Sequence, residues 1–350
     1  VRNVGVTQPT TANAAKGIWL NLCYGTTNEV NNNRVYGIRN FHPTVLSVAR
    51  GIEILAPTTT TVITNVWNNT VTDITSNYSG ALTASRGISG IFCSVGSATA
   101  TYNVDHNSVS VNGNGSLNTS SACFEFGGST AIYNLRNNAF ANYTGAQTAP
   151  ALHVAVYSAS GTTTIANTAS VMNYNDLYVP NLTQGGVAFA VAALRTTNAA
   201  YDLAVTVSPT SNDANSISAD PLFTADMHTQ GTALNGASLI TVAGLTTDMD
   251  GATRTAPQDI GADDFTPPAC VAPTASYYIY SACATSQFFA VVTVSSLGTA
   301  ANVNLSSDAA GNPGGLLAQG LGTYTVGPFP SGTPVNITVE HTGNATCNLV

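Results

Sequence analysis

The densest charge in the chain is five acids close together, Asp248, Asp250, Asp259, Asp263 and Asp264. Carboxylates at this density can hold a hard cation, and Asp248-Met249-Asp250-Gly251 matches the opening of an oxygen-rich calcium loop. The EF-hand pattern is incomplete, because no Glu follows at the required distance. The favoured expectation is a cap on an open end, with Asp250 and Gly251 making a turn and Arg254 pairing with a nearby Asp. Calcium held by Asp248 and Asp250 is the alternative, and no other cofactor is expected.

The remaining reactive side chains are sparse. Five His (42, 106, 153, 228, 341) show no metal-ligand spacing, and each reads as a surface or loop residue. Polysaccharide lyase chemistry needs a Lys or Arg base beside an acidic cluster. Lys16 is the single Lys and reads as lying outside the repeats, while Arg136 and Arg195 have no two carboxylates close in sequence. Glycoside hydrolysis needs a carboxylate pair at a set separation. Asp73, Asp105 and Asp176 fall at different repeat offsets, so no pair is indicated. No G-x-S-x-G nucleophile elbow occurs. Trp67 and Tyr143 point outward and could stack on sugar rings, although ordinary surface packing explains them. No catalytic residue is therefore assigned.

What would position such residues is a repeat. An apolar residue, an Asn three positions on and a further apolar residue two beyond recur in Asn65–Val71, Asn103–Val109, Asn134–Phe140 and, more loosely, Val171–Leu177. The second Asn falls at 69, 107, 138 and 175, in steps of 38, 31 and 37 residues. Such a period means units that bury their apolar faces only by stacking. A second apolar stretch precedes each Asn segment, as in Gly51–Leu55, Ile88–Phe92, Cys123–Phe126 and Leu152–Val156, with the period-two alternation of half-buried strands. No stretch carries a capped 3.6-residue period, so almost no helix is expected. The pattern predicts coils of a parallel β-helix with Val66 and Val71 inward, Trp67 and Thr70 outward, and Asn69 at the corner. Coils stack about 4.8 Å apart, so Asn69, Asn107, Asn138 and Asn175 should form an amide ladder. A ladder explains the spacing without a ligand. Cys93 and Cys123 lie 30 residues apart, near one coil period; a disulfide between coils and two buried thiols are equally compatible with that spacing.

Composition narrows the function. Charged residues make up 7% and apolar residues 44% of the 350 residues, with net charge −8. The apolar content suffices for a core, and the surface must consist of Thr, Ser, Asn and Gly. No basic stripe exists, so nucleic acid and anionic membranes are poor partners. No apolar run approaches the ~20 residues of a membrane span. Low Lys, abundant Thr and Asn, and scattered Cys suit an exported protein. Val1 reads as the start of a processed or trimmed chain.

Further on stand Asp220-Pro221-Leu222-Phe223, Asp248-Met249-Asp250-Gly251-Ala252-Thr253-Arg254 and Asp259-Ile260-Gly261-Ala262-Asp263-Asp264. This series resembles the terminal segment of bacterial right-handed parallel β-helix surface proteins exported by the type IX system, over about residues 60–265. The resemblance implies the fold and says little about activity. Residues 266–273 carry a linker signature, and short strands separated by turn signals follow from 274 to 350. That stretch resembles the immunoglobulin-like or fibronectin-like sandwich modules of the same secreted proteins. In such a module Cys283 and Cys347 would staple the first and last strands, leaving Cys270 over and Cys23 without an evident partner.

The expected architecture is therefore all-β, a right-handed parallel β-helix over 1–265 followed by an antiparallel immunoglobulin-like sandwich over 274–350. The expected function is that of a non-enzymatic structural or adhesive protein, extracellular or on a bacterial cell surface. Its partners would be copies of itself, head to tail in a fibre, or surface glycans. The competing expectation is a polysaccharide-active enzyme or a carbohydrate-binding protein. A groove holding two or more carboxylates with an Arg favours the enzyme; an uncharged Thr and Asn face favours the structural role.

Overall fold

A computed structural model describes residues 2, 5–6, 14–41, 48–57, 60–77, 87–94, 99–112, 119–127, 131–145, 151–158, 169–183, 185–190, 193–197, 213–267, 269–311, 314–343 and 347–350. His42 and most of the turn segment 158–164 lie outside them. The chain forms two compact units, residues 1–266 and 267–350.

The first unit is a parallel β-solenoid of about four turns. Its longest face is a seven-stranded sheet built from Ala15–Asn21, Ala49–Leu55, Ile88–Ser94, Ser121–Phe126, His153–Ser158, Gly185–Ala190 and Ala193–Arg195. Only the last of these pairs antiparallel, folding back on its predecessor. The second face stacks Thr27–Asn31, Ile63–Trp67, Thr101–Asp105, Ile132–Arg136 and Met172–Asn173. The third stacks Arg34–Val35, Thr70–Val71, Ser108–Val111, Ala139–Asn142 and Asp176–Tyr178. Lys16 thus lies within the coils, in register with Arg50, and not outside the repeats.

Register turns the repeat into a core of like on like. Val30, Val66, Val104, Leu135 and Met172 form one buried column, and Val35, Val71, Val109, Phe140 and Leu177 another. Tyr102 stacks on Tyr133 with ring centroids 5.2 Å apart. Trp67 is half-buried, whereas Thr70, expected outside, is buried. Gly51 is required by close approach. A Cβ there would stand 2.3 Å from Val71 Cγ1 and 2.6 Å from the Gly90 carbonyl oxygen. Cys93 pairs in register with Phe126 and not with Cys123, so the two coils differ from a 30-residue step. Both thiols are free and buried, and burial pushes each well up.

The second unit holds two antiparallel sheets. One contains Thr274–Ala282, Gln287–Ser296 and Gly322–Pro330; the other contains Val303–Ser307, Leu316–Gln319 and Ile337–His341. Alternate residues such as Val292, Val294, Val303, Leu305, Val326 and Phe329 form their shared core. Its disulfide joins Cys270 to Cys347, with Cα atoms 6.0 Å apart, and not Cys283 to Cys347. Cys283 is exposed and free, in the turn beyond the far end of Thr274–Ala282. The supposed linker explains the difference. Val271 exchanges hydrogen bonds with Thr299, so its chain belongs to this unit and carries Cys270 to the last strand. Among the described residues, helix is limited to two three-residue 3-10 turns, and no helix is long and apolar enough to cross a membrane.

Candidate functional site

The corner column comes first, because it fixes everything beside it. Asn69 Nδ2 donates to Asn107 Oδ1 at 2.9 Å, Asn107 to Asn138 at 3.0 Å, and Asn138 to Asn175 at 2.9 Å. Each accepting oxygen also takes the backbone N–H of the donor residue, and the second amide hydrogen goes back to Val30, Val66 or Val104. Every polar atom of these buried amides is thereby satisfied. The column is longer than its sequence signature. Asn33 feeds Asn69 at 3.0 Å, and Asn175 donates to the Asp213 carboxylate at 3.1 Å. A carboxylate only accepts, so it terminates a one-way chain of donors. A parallel outer ladder runs the other way, from Asn134 to Asn103 to Asn65, each step 2.8 Å. Its signal was in plain sight, as the Asn that opens the first three repeats.

The residue before each ladder Asn takes a left-handed backbone: Asn32, Asn68, His106, Asn137 and Tyr174 all have φ between 51° and 58°. Three of the five are Asn, the residue that bears this conformation best after Gly. Residues 213–219 stack on the last coil, Ile217 bridging Asp176, and residues 220–265 then dock along the resulting row of outward side chains. The acid-rich part of this segment, Asp248 to Asp264, was expected to cap an open end. It runs instead back along the corner as a strap, because its polar groups are matched to that row. Asn68 Nδ2 donates to the Thr247 carbonyl at 2.7 Å, and Arg254 Nη2 donates to Asn68 Oδ1 at 2.8 Å. Asn137 donates to the Ile240 carbonyl at 2.9 Å and accepts from the Ser238 hydroxyl at 2.6 Å. His106 Nδ1 lies 3.2 Å from the Gly261 carbonyl oxygen, and its Nε2 lies 2.8 Å from Asn137 Nδ2 and 3.0 Å from Gln258 Oε1. Burial, with Arg254 nearby, holds His106 well below its usual pKa, so it is neutral. Leu234 and Ile260 of the strap pack on Ala139 of the coil beneath.

Arg254 does not pair with an Asp. Its remaining contacts are the Gly261 and Ala262 carbonyls, and burial lowers its pKa to about 10. Asp248 is spent on the turn itself: its Oδ1 accepts the N–H groups of Asp250 and Ala252, and its Oδ2 that of Asp264. Of the two calcium candidates, only Asp250 keeps its carboxylate exposed.

Between the strap and the third face lies a groove of about 850 Å³. Thr70, Thr72, Ser110 and Asn112 line it with small polar groups, Tyr36 and Tyr143 contribute rings, and Asp73, Asp220, Asp226 and Arg34 supply charge. Sequence reasoning missed this grouping, because Asp220 and Asp226 come from the strap. Each carboxylate already has donors. Asp73 is held by both Arg39 Nη2 bonds, at 2.7 and 2.6 Å. Asp220 accepts from Tyr143 Oη at 2.6 Å and from Leu222 N at 2.9 Å. Asp226 accepts from the Thr224 hydroxyl at 2.5 Å and stands 3.8 Å from Arg34. The Thr224 bond holds Asp226 below the usual carboxylate range.

The other sequence candidates are placed as follows. Asp105 and Arg136 form a two-bond pair between neighbouring coils at 2.7 Å, and burial raises the Asp105 pKa against the pull of Arg136. Asp176 is buried behind Asp220; its Oδ1 takes the Ala219 N–H and its Oδ2 has no partner. Burial pushes that carboxyl well up, and Asp220 adds to the push. Lys16 and Arg50 both grip Glu53 at 2.6 Å on the outer side of the long sheet, over the rings of Trp19 and Phe92. Arg195 lies in the short returning strand. His106, His153 and His341 are buried and not at the surface. No family model, no curated protein and no solved structure matches the chain; the fold itself defines a parallel β-solenoid.

Proposed function

We propose that this is a non-enzymatic, extracellular adhesive protein of a bacterium, whose solenoid binds a glycan along the groove beside the strap. The observation that carries the reading is the groove's chemistry. Hydroxyl and amide groups with two tyrosines suit sugar hydroxyls and sugar faces. Its carboxylates are all engaged by protein donors, and Asp226 is held low, whereas a glycosidase acid must be held high. The disulfide supports export to an oxidising compartment. Export by the type IX route, an immunoglobulin-like second unit and fibre formation are the finer parts of the same proposal. They rest on the sequence resemblance and on the uncharged surface.

The test is binding of the full chain to immobilised neutral and acidic polysaccharides, with Tyr36→Ala and Tyr143→Ala beside it. Base–aromatic stacking sets the scale for a lost ring, about 1–3 kcal/mol, so each variant should bind about 5- to 150-fold more weakly. Equal binding by both variants, or no binding to any polysaccharide, ends the reading. An enzyme is the second reading, favoured because three carboxylates and Arg34 do share the groove. Release of new reducing ends or unsaturated products in the same incubations would establish it. Electron microscopy of the purified protein separates fibres from monomers.

A further inference from the structure

We infer that His228, Asp250 and Asp263 bind one first-row divalent cation on the strap, with Zn²⁺ the preferred ion. One ring nitrogen and one oxygen from each carboxylate lie within 4.8 Å of one another. Asp250 Oδ2 is 3.5 Å from His228 Nε2, and Asp263 Oδ2 is 3.3 Å from Nδ1. Nitrogen and oxygen donors on a tetrahedral zinc shell of about 2.1 Å stand about 3.4 Å apart. The two spacings fall on opposite ring nitrogens, and one ion takes only one of them; with Nε2 as the ligand Asp250 already stands at that spacing, while Asp263, whose Oδ2 accepts the Thr229 N–H at 3.0 Å, has to turn toward it.

The donor set selects the metal. Calcium takes six to eight oxygens, and the calcium-like Asp248 has given its oxygens to backbone N–H groups. An imidazole with two carboxylates suits a borderline ion that accepts nitrogen and keeps an open position. Asp226 Oδ2, 3.5 Å from Nε2, is a further oxygen within reach.

The charge balance points the same way. Only seventeen acids occur in the whole chain, yet three of them surround this single imidazole. Among the described residues, neither Asp250 nor Asp263 has a Lys or Arg partner. Arg254, in the same segment, directs its Nη2 bonds to Asn68, Gly261 and Ala262. The Arg254 charge reaches Asp263 only at a distance, and a dication supplies positive charge in direct contact. It also fastens three turns of the strap that are distant in sequence.

The experiment is calorimetric titration of the EDTA-treated full chain with ZnCl₂, MnCl₂ and CaCl₂, followed by thermal melts. One Zn²⁺ per chain and a raised Tm are expected. His228→Ala and Asp250→Asn should each weaken zinc binding at least tenfold, while Asp308→Asn in the second unit leaves it unchanged. Both variants alter partly exposed side chains, and circular dichroism establishes that they fold; should His228→Ala not fold, Asp250→Asn alone decides. Absence of stoichiometric binding by any of the three metals at millimolar concentration overturns the site. So does unchanged zinc binding in the folded variants, or calcium binding that is indifferent to His228.

Discussion

At the scale of the residue, the corner amides show how one side chain can be indispensable without touching a ligand. Asn107 accepts two hydrogen bonds from Asn69 and donates to Asn138 and Val66, all in a buried setting. Replacing it with Ala leaves the Asn69 donors and the Val66 carbonyl unmatched. The expected loss is about 2–4 kcal/mol, read from urea melts against wild type. His106 carries a pH dependence whose sign follows from its lowered pKa. The unfolded chain takes up a proton near pH 6.5, which the folded His resists. Below about that pH the unfolded state binds more protons, so the stability His106 contributes is present above it and is lost as the pH falls. Tm should drop between pH 7 and pH 5. His106→Asn should flatten that slope, since Asn fills the equivalent place in the coils on either side.

At the scale of the element, strands, coil step and ladder were legible, because each follows from a local alternation or a fixed spacing. The αL row was not read, although Asn32, Asn68 and Asn137 stand immediately before the ladder residues. The need for Gly51 was also missed, for a physical reason: nothing in Gly51 itself shows that Val71 and the next strand crowd its Cβ. Gly51→Ala must push one of them away, at about 1–3 kcal/mol, and thermal melts will register the drop. The Cys93 and Cys123 spacing misled because coils differ in length. A 30-residue step falls three residues short of the register that pairs Cys93 with Phe126. The strap was misplaced for a related reason. Its acids and its Arg suggested local pairing, whereas their partners are backbone groups and side chains of coils far away in sequence.

At the scale of the molecule, the chain is two units whose stabilities have different origins. The solenoid depends on buried columns, and the second unit adds a covalent link that closes a span of 77 residues. Reduction of Cys270–Cys347 should cost the second unit about 2–5 kcal/mol. Differential scanning calorimetry with and without reductant checks this, and the solenoid transition should stay where it was. The groove was illegible in the sequence because its walls come from residues 34–143 on one side and 220–227 on the other. A feature of the strap reaches beyond stability. Arg254 grips Asn68 across 186 residues, so the buckle is synthesised long after the belt it closes. Any early coil that forms before residues 220–265 are made therefore carries its left-handed row in water, and that water has to leave before the last stretch can be laid down.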